Sequence, residues 1–129
     1  MTDFLFVYGT LRPGSSAPVA LRLASESRPL GRAIASGRLY RVADYPGFVP
    51  GPAGTATGDL LALHTPAPTL AWLDAYEECA PPFPQPWEYR REQLTVTGPE
   101  GPVRAYVYVY ARSVAGLPLI AGGDFLAAR

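Results

Sequence analysis

The chain has 129 residues, 11 basic and 11 acidic, and no net charge; one domain spanning 1–129 is expected, able to bury roughly two-thirds of its unfolded surface. With 17% charged residues evenly balanced in sign, there is no electrostatic footprint for nucleic acid or for an acidic membrane. Gly and Pro, 13 and 15 residues, stop short of low-complexity composition, so a folded chain rich in turns is expected.

Phe4-Leu-Phe-Val-Tyr8 reads as a short buried strand stopped by Gly9. The run is too short for a signal peptide or a membrane span, and a cytoplasmic protein is expected. Pro13 to Ser16 is a loop. Ala17 to Ser27 carries a modest helical pattern, with Ser16 as its N-cap and Pro18 in the first turn. Arg32 to Val42 is β-compatible, Asp44-Tyr-Pro-Gly47 is a turn signal and Pro50 to Gly54 a loop. Thr57 to Leu63 reads as a strand. Pro66 to Glu77 is the best helix, with Thr65 as cap and Leu70, Leu73, Tyr76 and Glu77 on one face. The prolines of Cys79 to Trp87 forbid its continuation. Glu88–Thr97 and Pro102–Arg112 form a hairpin about Gly98–Gly101. In its second strand Val103, Ala105, Val107 and Val109 alternate with Arg104, Tyr106, Tyr108 and Tyr110, the clearest period of two in the chain. Leu117 to Ala128 is a tail of mixed character, a last strand or turn. These elements predict an α+β domain with a mainly antiparallel sheet, for which a small barrel is one way to close.

Several chemistries lack their residues. A single cysteine, Cys79, makes no internal disulfide, and one histidine, His64, makes no metal cluster. No Gly-x-Ser-x-Gly elbow, Walker A loop or Gly-x-Gly-x-x-Gly is present. Neither a cofactor nor a metal is expected, and nothing specifies an oligomeric state. The tyrosines at 106, 108 and 110 lack the flanking positive charge of a base-stacking platform, so packing explains them better.

Two constellations remain. In Tyr8-Gly9-Thr10-Leu11 an apolar strand runs into a glycine. A positive φ at Gly9 would let successive N–H groups of residues 9–11 converge on a carboxylate or an oxyanion, although an ordinary turn fits as well. In Leu73-Asp-Ala-Tyr-Glu77, Glu77 falls four residues after Leu73 and seven after Leu70, on the buried stripe of its helix. Asp74 and Glu78 share a strip more easily solvated. An acidic helix end in water is the ordinary reading. A carboxylate turned toward the core, which costs several kcal/mol unless paired or neutralised, is the functional one.

Together these segments resemble the γ-glutamylcyclotransferase-like superfamily, which includes γ-glutamylamine cyclotransferases and AIG2-like proteins. The resemblance runs along nearly the whole chain: Tyr8-Gly9-Thr10-Leu11, Gly37-Arg-Leu-Tyr40 with Tyr45-Pro46, Gly58-Asp-Leu60, Leu73-Asp-x-x-Glu77, Tyr89-Arg90, Tyr106-Val-Tyr108 and Gly123-Asp-Phe125. It implies a small mixed β-barrel with flanking helices and a pocket for a γ-glutamyl substrate, with Glu77 as acid/base. Backbone N–H groups of Gly9, Thr10 and Leu11, beside Tyr8, would hold the substrate. Tyr89 and Tyr108 are candidates for pocket walls and hydroxyl donors, and Tyr45 is a further one. The alternative is a non-catalytic module that binds a small amino-acid-like anion in the same pocket. Glu78, where the family often has glycine, and the proline-rich stretch 80–87 depart from the pattern beside the leaving-group side.

Overall fold

In the computed structural model, which describes residues 3–77 and 87–127, the first apolar run forms β1 (Asp3–Val7). It is apolar at successive positions because it serves two cores. Phe6, with Tyr8 just beyond the strand, enters the barrel interior, whereas Leu5 and Val7 face a second layer that the helices cover. There follow α1 (Pro18–Ser25), β2 (Ser27–Arg41), β3 (Pro46–Leu63), α2 (Pro66–Tyr76), β4 (Tyr89–Gly98) and β5 (Gly101–Tyr110). The strands close as a barrel in the order β1-β3-β2-β4-β5. Neighbours are antiparallel except β1 and β5, which pair in parallel at Leu5 and Tyr106. This is the mainly antiparallel α+β barrel expected.

Local boundaries differ in instructive ways. Helix α1 is capped by Ala17 rather than Ser16, with Pro18 in its first turn, and it ends before Ser27. Ser27 already opens β2, five residues ahead of the expected start, because Leu30 is absorbed as a bulge between Pro29 and Gly31. The loop expected at 50–54 lies inside β3: Gly37 pairs Pro50 while Ser36 pairs Thr55, so residues 51–54 have no opposite number and bulge from a continuing ladder. Pro46 and Gly47 belong to β3 as well, the turn itself being closed by the Val42 N–H on the Tyr45 carbonyl at 3.1 Å. Thr65 precedes α2 as expected, but its side chain makes no cap bond.

In β5, Ala105, Val107 and Val109 fill the barrel, and Tyr106, Tyr108 and Tyr110 lie in the helix-covered layer. That is the packing role expected of the alternation. Among the described residues the tail forms no strand beyond a bridge between Tyr40 and Leu119. Instead it plugs one end of the barrel, with Ile120 and Phe125 buried in the interior. Gly123 makes this seating possible: its φ is +71°, and a Cβ there would lie 1.7 Å from the Thr55 carbonyl oxygen. Among the described residues no helix is long and apolar enough to cross a membrane.

Candidate functional site

Where β1 leaves the barrel, the chain turns sharply, the Arg12 N–H bonding the Gly9 carbonyl at 3.1 Å. This bend, the start of β3, the end of α2 and the entry to β4 surround a cavity of about 280 Å³, near the lower end of the range for small-ligand sites. Every residue singled out from the sequence lines it: Tyr8, Gly9, Thr10, Leu11, Tyr45, Glu77, Tyr89 and Tyr108. Pro46, Tyr76 and Glu88 line it too, and sequence reasoning missed them.

Glu77 occupies the C-cap of α2, where its N–H still bonds the Leu73 carbonyl at 2.8 Å. The helical spacing behind Leu70 and Leu73 therefore carries its side chain toward the cavity rather than into water. There its charge acts on Tyr8, Tyr76 and Tyr89. Burial, and then the nearby Glu88 carboxylate, push its pKa up from 4.5 to about 8. Among the described residues no donor hydrogen-bonds this carboxylate. A desolvated, unpartnered carboxyl aimed into a cavity is a poor structural element and a good proton carrier near neutral pH.

The phenols around it form a frame whose hydroxyls are engaged elsewhere. Tyr8 donates to the Tyr108 carbonyl at 2.5 Å and accepts from the Phe48 N–H at 3.3 Å. Burial first, then the Glu77 charge, hold its hydroxyl far above the ordinary phenol range. Tyr89 donates to the Pro46 carbonyl at 2.7 Å and meets Tyr110 edge-on at 5.5 Å. Tyr108 presents its ring to the cavity but donates its hydroxyl to Asp74 at 2.7 Å. Tyr89 and Tyr108 are thus walls, as expected, but their hydroxyls are turned to other acceptors. Asp74 is correspondingly not the solvated helix-end charge expected: it joins Tyr108 to Arg91, whose guanidinium lies 3.2 Å away. Glu78 and Cys79, with the proline-rich stretch up to Pro86, lie outside the described residues. Trp87 is half-buried against the helix-covered layer, and His64 is exposed.

Gly9 has a different reason from the expected one. Its φ is not positive; it is needed because a Cβ would come within 2.9 Å of the Pro46 ring. The bend is therefore a tight turn against β3 rather than an alternating-φ nest. Among the described residues, the N–H groups of Gly9, Thr10 and Leu11 are still donated to no protein acceptor. The bend is fixed from below by Arg12, almost fully buried, which bonds Asp59 at 2.6 Å and Asp124 at 2.9 Å. The Gly123-Asp124-Phe125 motif thus supports the turn beside the cavity from the far end of the chain. At the mouth, Tyr45 donates to Glu88 at 2.6 Å across 43 residues of sequence. The lining holds two carboxylates and, among the described residues, no Lys, Arg or His.

A family model described as "Gamma-glutamyl cyclotransferase, AIG2-like" matches residues 5–127. The chain is 37% identical over 125 residues to the "Gamma-glutamylcyclotransferase family protein YtfP" of Escherichia coli K12, covering 95% of each. The solution structure of ytfP from Escherichia coli superimposes with a TM-score of 0.66 at 36% identity, covering 95% of this chain and 96% of that one. The crystal structure of an AIG2-like protein from Mus musculus does so with a TM-score of 0.69 at 26% identity, covering 92% of this chain and 85% of that one.

Proposed function

The chain belongs to the gamma-glutamyl cyclotransferase, AIG2-like family, and on that footing we propose that it cyclises a γ-glutamyl group to 5-oxoproline with release of an amine or peptide. The observation that carries this reading is Glu77, half-buried in the wall of the cavity that Gly9 to Leu11 also line, with its pKa raised to about 8.

The reaction supplies its own nucleophile. The α-amine of the γ-glutamyl group attacks the γ-carbonyl carbon; the new C–N bond closes the five-membered ring, and the original amide C–N bond breaks. No water is consumed. Holding the chain curled in a small cavity exploits the high effective molarity of ring closure, of order 10⁵ M or more for well-oriented groups. The protein must still take a proton from the attacking nitrogen and return one to the leaving nitrogen. Glu77 can do both in turn, a contribution of typically about 10²–10⁴-fold. The backbone N–H groups of Gly9, Thr10 and Leu11 hold the α-carboxylate or the carbonyl oxygen as it gains charge. Because the tyrosine hydroxyls are committed to the frame, Tyr8, Tyr89 and Tyr108 shape the cavity and exclude water rather than donate to the substrate.

The test is release of 5-oxoproline from a panel of γ-glutamyl amines and peptides, with Glu77→Gln as control. The wild type is expected to release it from at least one member. The variant should fall by roughly 10²-fold or more while keeping its urea midpoint at acidic pH. Full activity in Glu77→Gln removes that residue from the mechanism. Binding without release across the panel makes the cavity a receptor site instead.

A further inference from the structure

We infer that Glu88, held by the Tyr45 hydroxyl at the mouth of the cavity, selects γ-glutamyl compounds whose leaving amine carries a second, positively charged group. The inference rests on the cyclisation reading and names the substrate class of that same site.

Four features of the structure lead to it. First, Glu88 lines the cavity together with Glu77 and belongs to the short entry into β4. Second, its carboxylate is oriented rather than free to swing, since Oε2 accepts the Tyr45 hydroxyl at 2.6 Å. That bond, with burial, keeps the Tyr45 phenol protonated and therefore a donor. Third, the two carboxylates divide the work. Glu77, without a hydrogen-bond donor among the described residues, exchanges a proton near neutral pH, whereas Glu88, held by Tyr45, is a charge that Glu77 feels. A fixed anion with one hydrogen-bond donor has capacity for another, and an ammonium supplies it. Fourth, among the described residues no cationic side chain lines the site, so a leaving group bearing a carboxylate would meet like charge and find no counter-ion among them. Asp44, whose charge reaches Tyr76, adds to the negative field. Arg112, whose charge reaches Tyr45 and Tyr110, opposes it from an exposed position outside the lining.

The experiment compares three γ-glutamyl amides of equal chain length: that of a short aliphatic diamine, that of the matching monoamine and that of the matching amino acid. The readout is the ratio of their kcat/KM values, rather than any single rate, in wild type, Glu88→Gln, Glu88→Asp and Tyr45→Phe. Wild type should prefer the diamine amide over the monoamine amide by about tenfold or more, expressed in KM, and should disfavour the amino-acid amide by at least as much. Glu88→Gln should bring all three within about threefold of one another, Glu88→Asp should restore most of the preference, and Tyr45→Phe should fall between. A merely structural role for Glu88 would lower all three substrates alike. Raising salt from about 0.01 M to about 1 M, which shortens the Debye length from about 30 Å to about 3 Å, should shrink the wild-type ratio without any variant. If none of the three releases 5-oxoproline, the cyclisation reading fails by itself, and the same ratios are read from calorimetric binding to wild type and Glu88→Gln. An unchanged ratio in Glu88→Gln, or a wild type indifferent to the charge, overturns the inference.

Discussion

One carboxyl of the cavity, Glu77, has surroundings that disfavour its charge. The sign of the resulting pH dependence follows from burial and the Glu88 charge, which raise the Glu77 pKa above its ordinary 4.5 to about 8. Between those values the folded chain holds a proton that the unfolded chain has released. Its contribution to stability is therefore complete below about pH 4.5 and disappears as pH rises through about 8. Urea midpoints measured from pH 5 to pH 8.5 should fall more steeply for wild type than for Glu77→Gln, which has no such proton to lose. If Glu77 is the base, kcat/KM should climb over the same interval and level off above about pH 8. Equal slopes in the two proteins would mean that the Glu77 carboxyl is hydrated in solution. Gly9, in the same lining, is a glycine for a different reason from the expected one. The strand-to-glycine pattern pointed to this position, but what excludes a side chain there is the Pro46 ring, 37 residues away, and no torsional pattern along the chain announces that contact.

Among the elements, the two helices are joined by a carboxylate placed against the usual rule. Glu26 ends α1, where the helix dipole disfavours a negative charge. It is held there by donors from α2, the Thr69 hydroxyl at 2.5 Å and the Trp72 indole at 3.0 Å, with Arg22 at 3.3 Å. The Thr69 and Trp72 bonds lower its pKa, outweighing the desolvation that opposes them, and Arg22 adds a smaller contribution in the same direction. Thr69 is fully buried, so Glu26→Ala strands its hydroxyl and should destabilise the fold by about 1–3 kcal/mol. Glu26→Gln retains an acceptor and should lose less. The check is the urea midpoint at constant m, and an alanine variant as stable as wild type would show that the clamp is dispensable. Leu70 and Leu73 were legible as the buried stripe of α2; that Thr69 was buried beside them to reach Glu26, 43 residues earlier, was not.

For the whole molecule, Arg12 joins three distant pieces: the bend after β1, Asp59 in β3 and Asp124 in the tail. Burial opposes the Asp124 charge, but Arg12 and the N–H groups of Ala127 and Leu126 outweigh it and hold the pKa below the ordinary value. Removing the guanidinium in Arg12→Ala takes the Arg12 ion pair from Asp59 and leaves Asp124 only the exposed Arg32 at 4.0 Å, and should cost about 3 kcal/mol or more. It should also raise KM through the loosened bend. Chemical denaturation and the 5-oxoproline assay read the two effects separately. A variant with unchanged stability would show that the tail is seated by Ile120 and Phe125 alone.

What the sequence determined by itself is whatever repeats locally. The two-residue period of β5, the apolar run of β1, the helical spacing that aims Glu77 and the ordered set of family motifs all depend on neighbours a few positions apart, where backbone geometry dictates which way a side chain points. Only closure of the barrel decided the rest. It set Glu88 against Tyr45, turned the Tyr89 and Tyr108 hydroxyls to other acceptors and paired Asp74 with Arg91. It also carried β3 through the glycines and prolines of residues 50–54. Each of these is a contact between segments far apart in the chain, fixed by packing and charge after the strands have come together, and so invisible to any pattern read along the sequence.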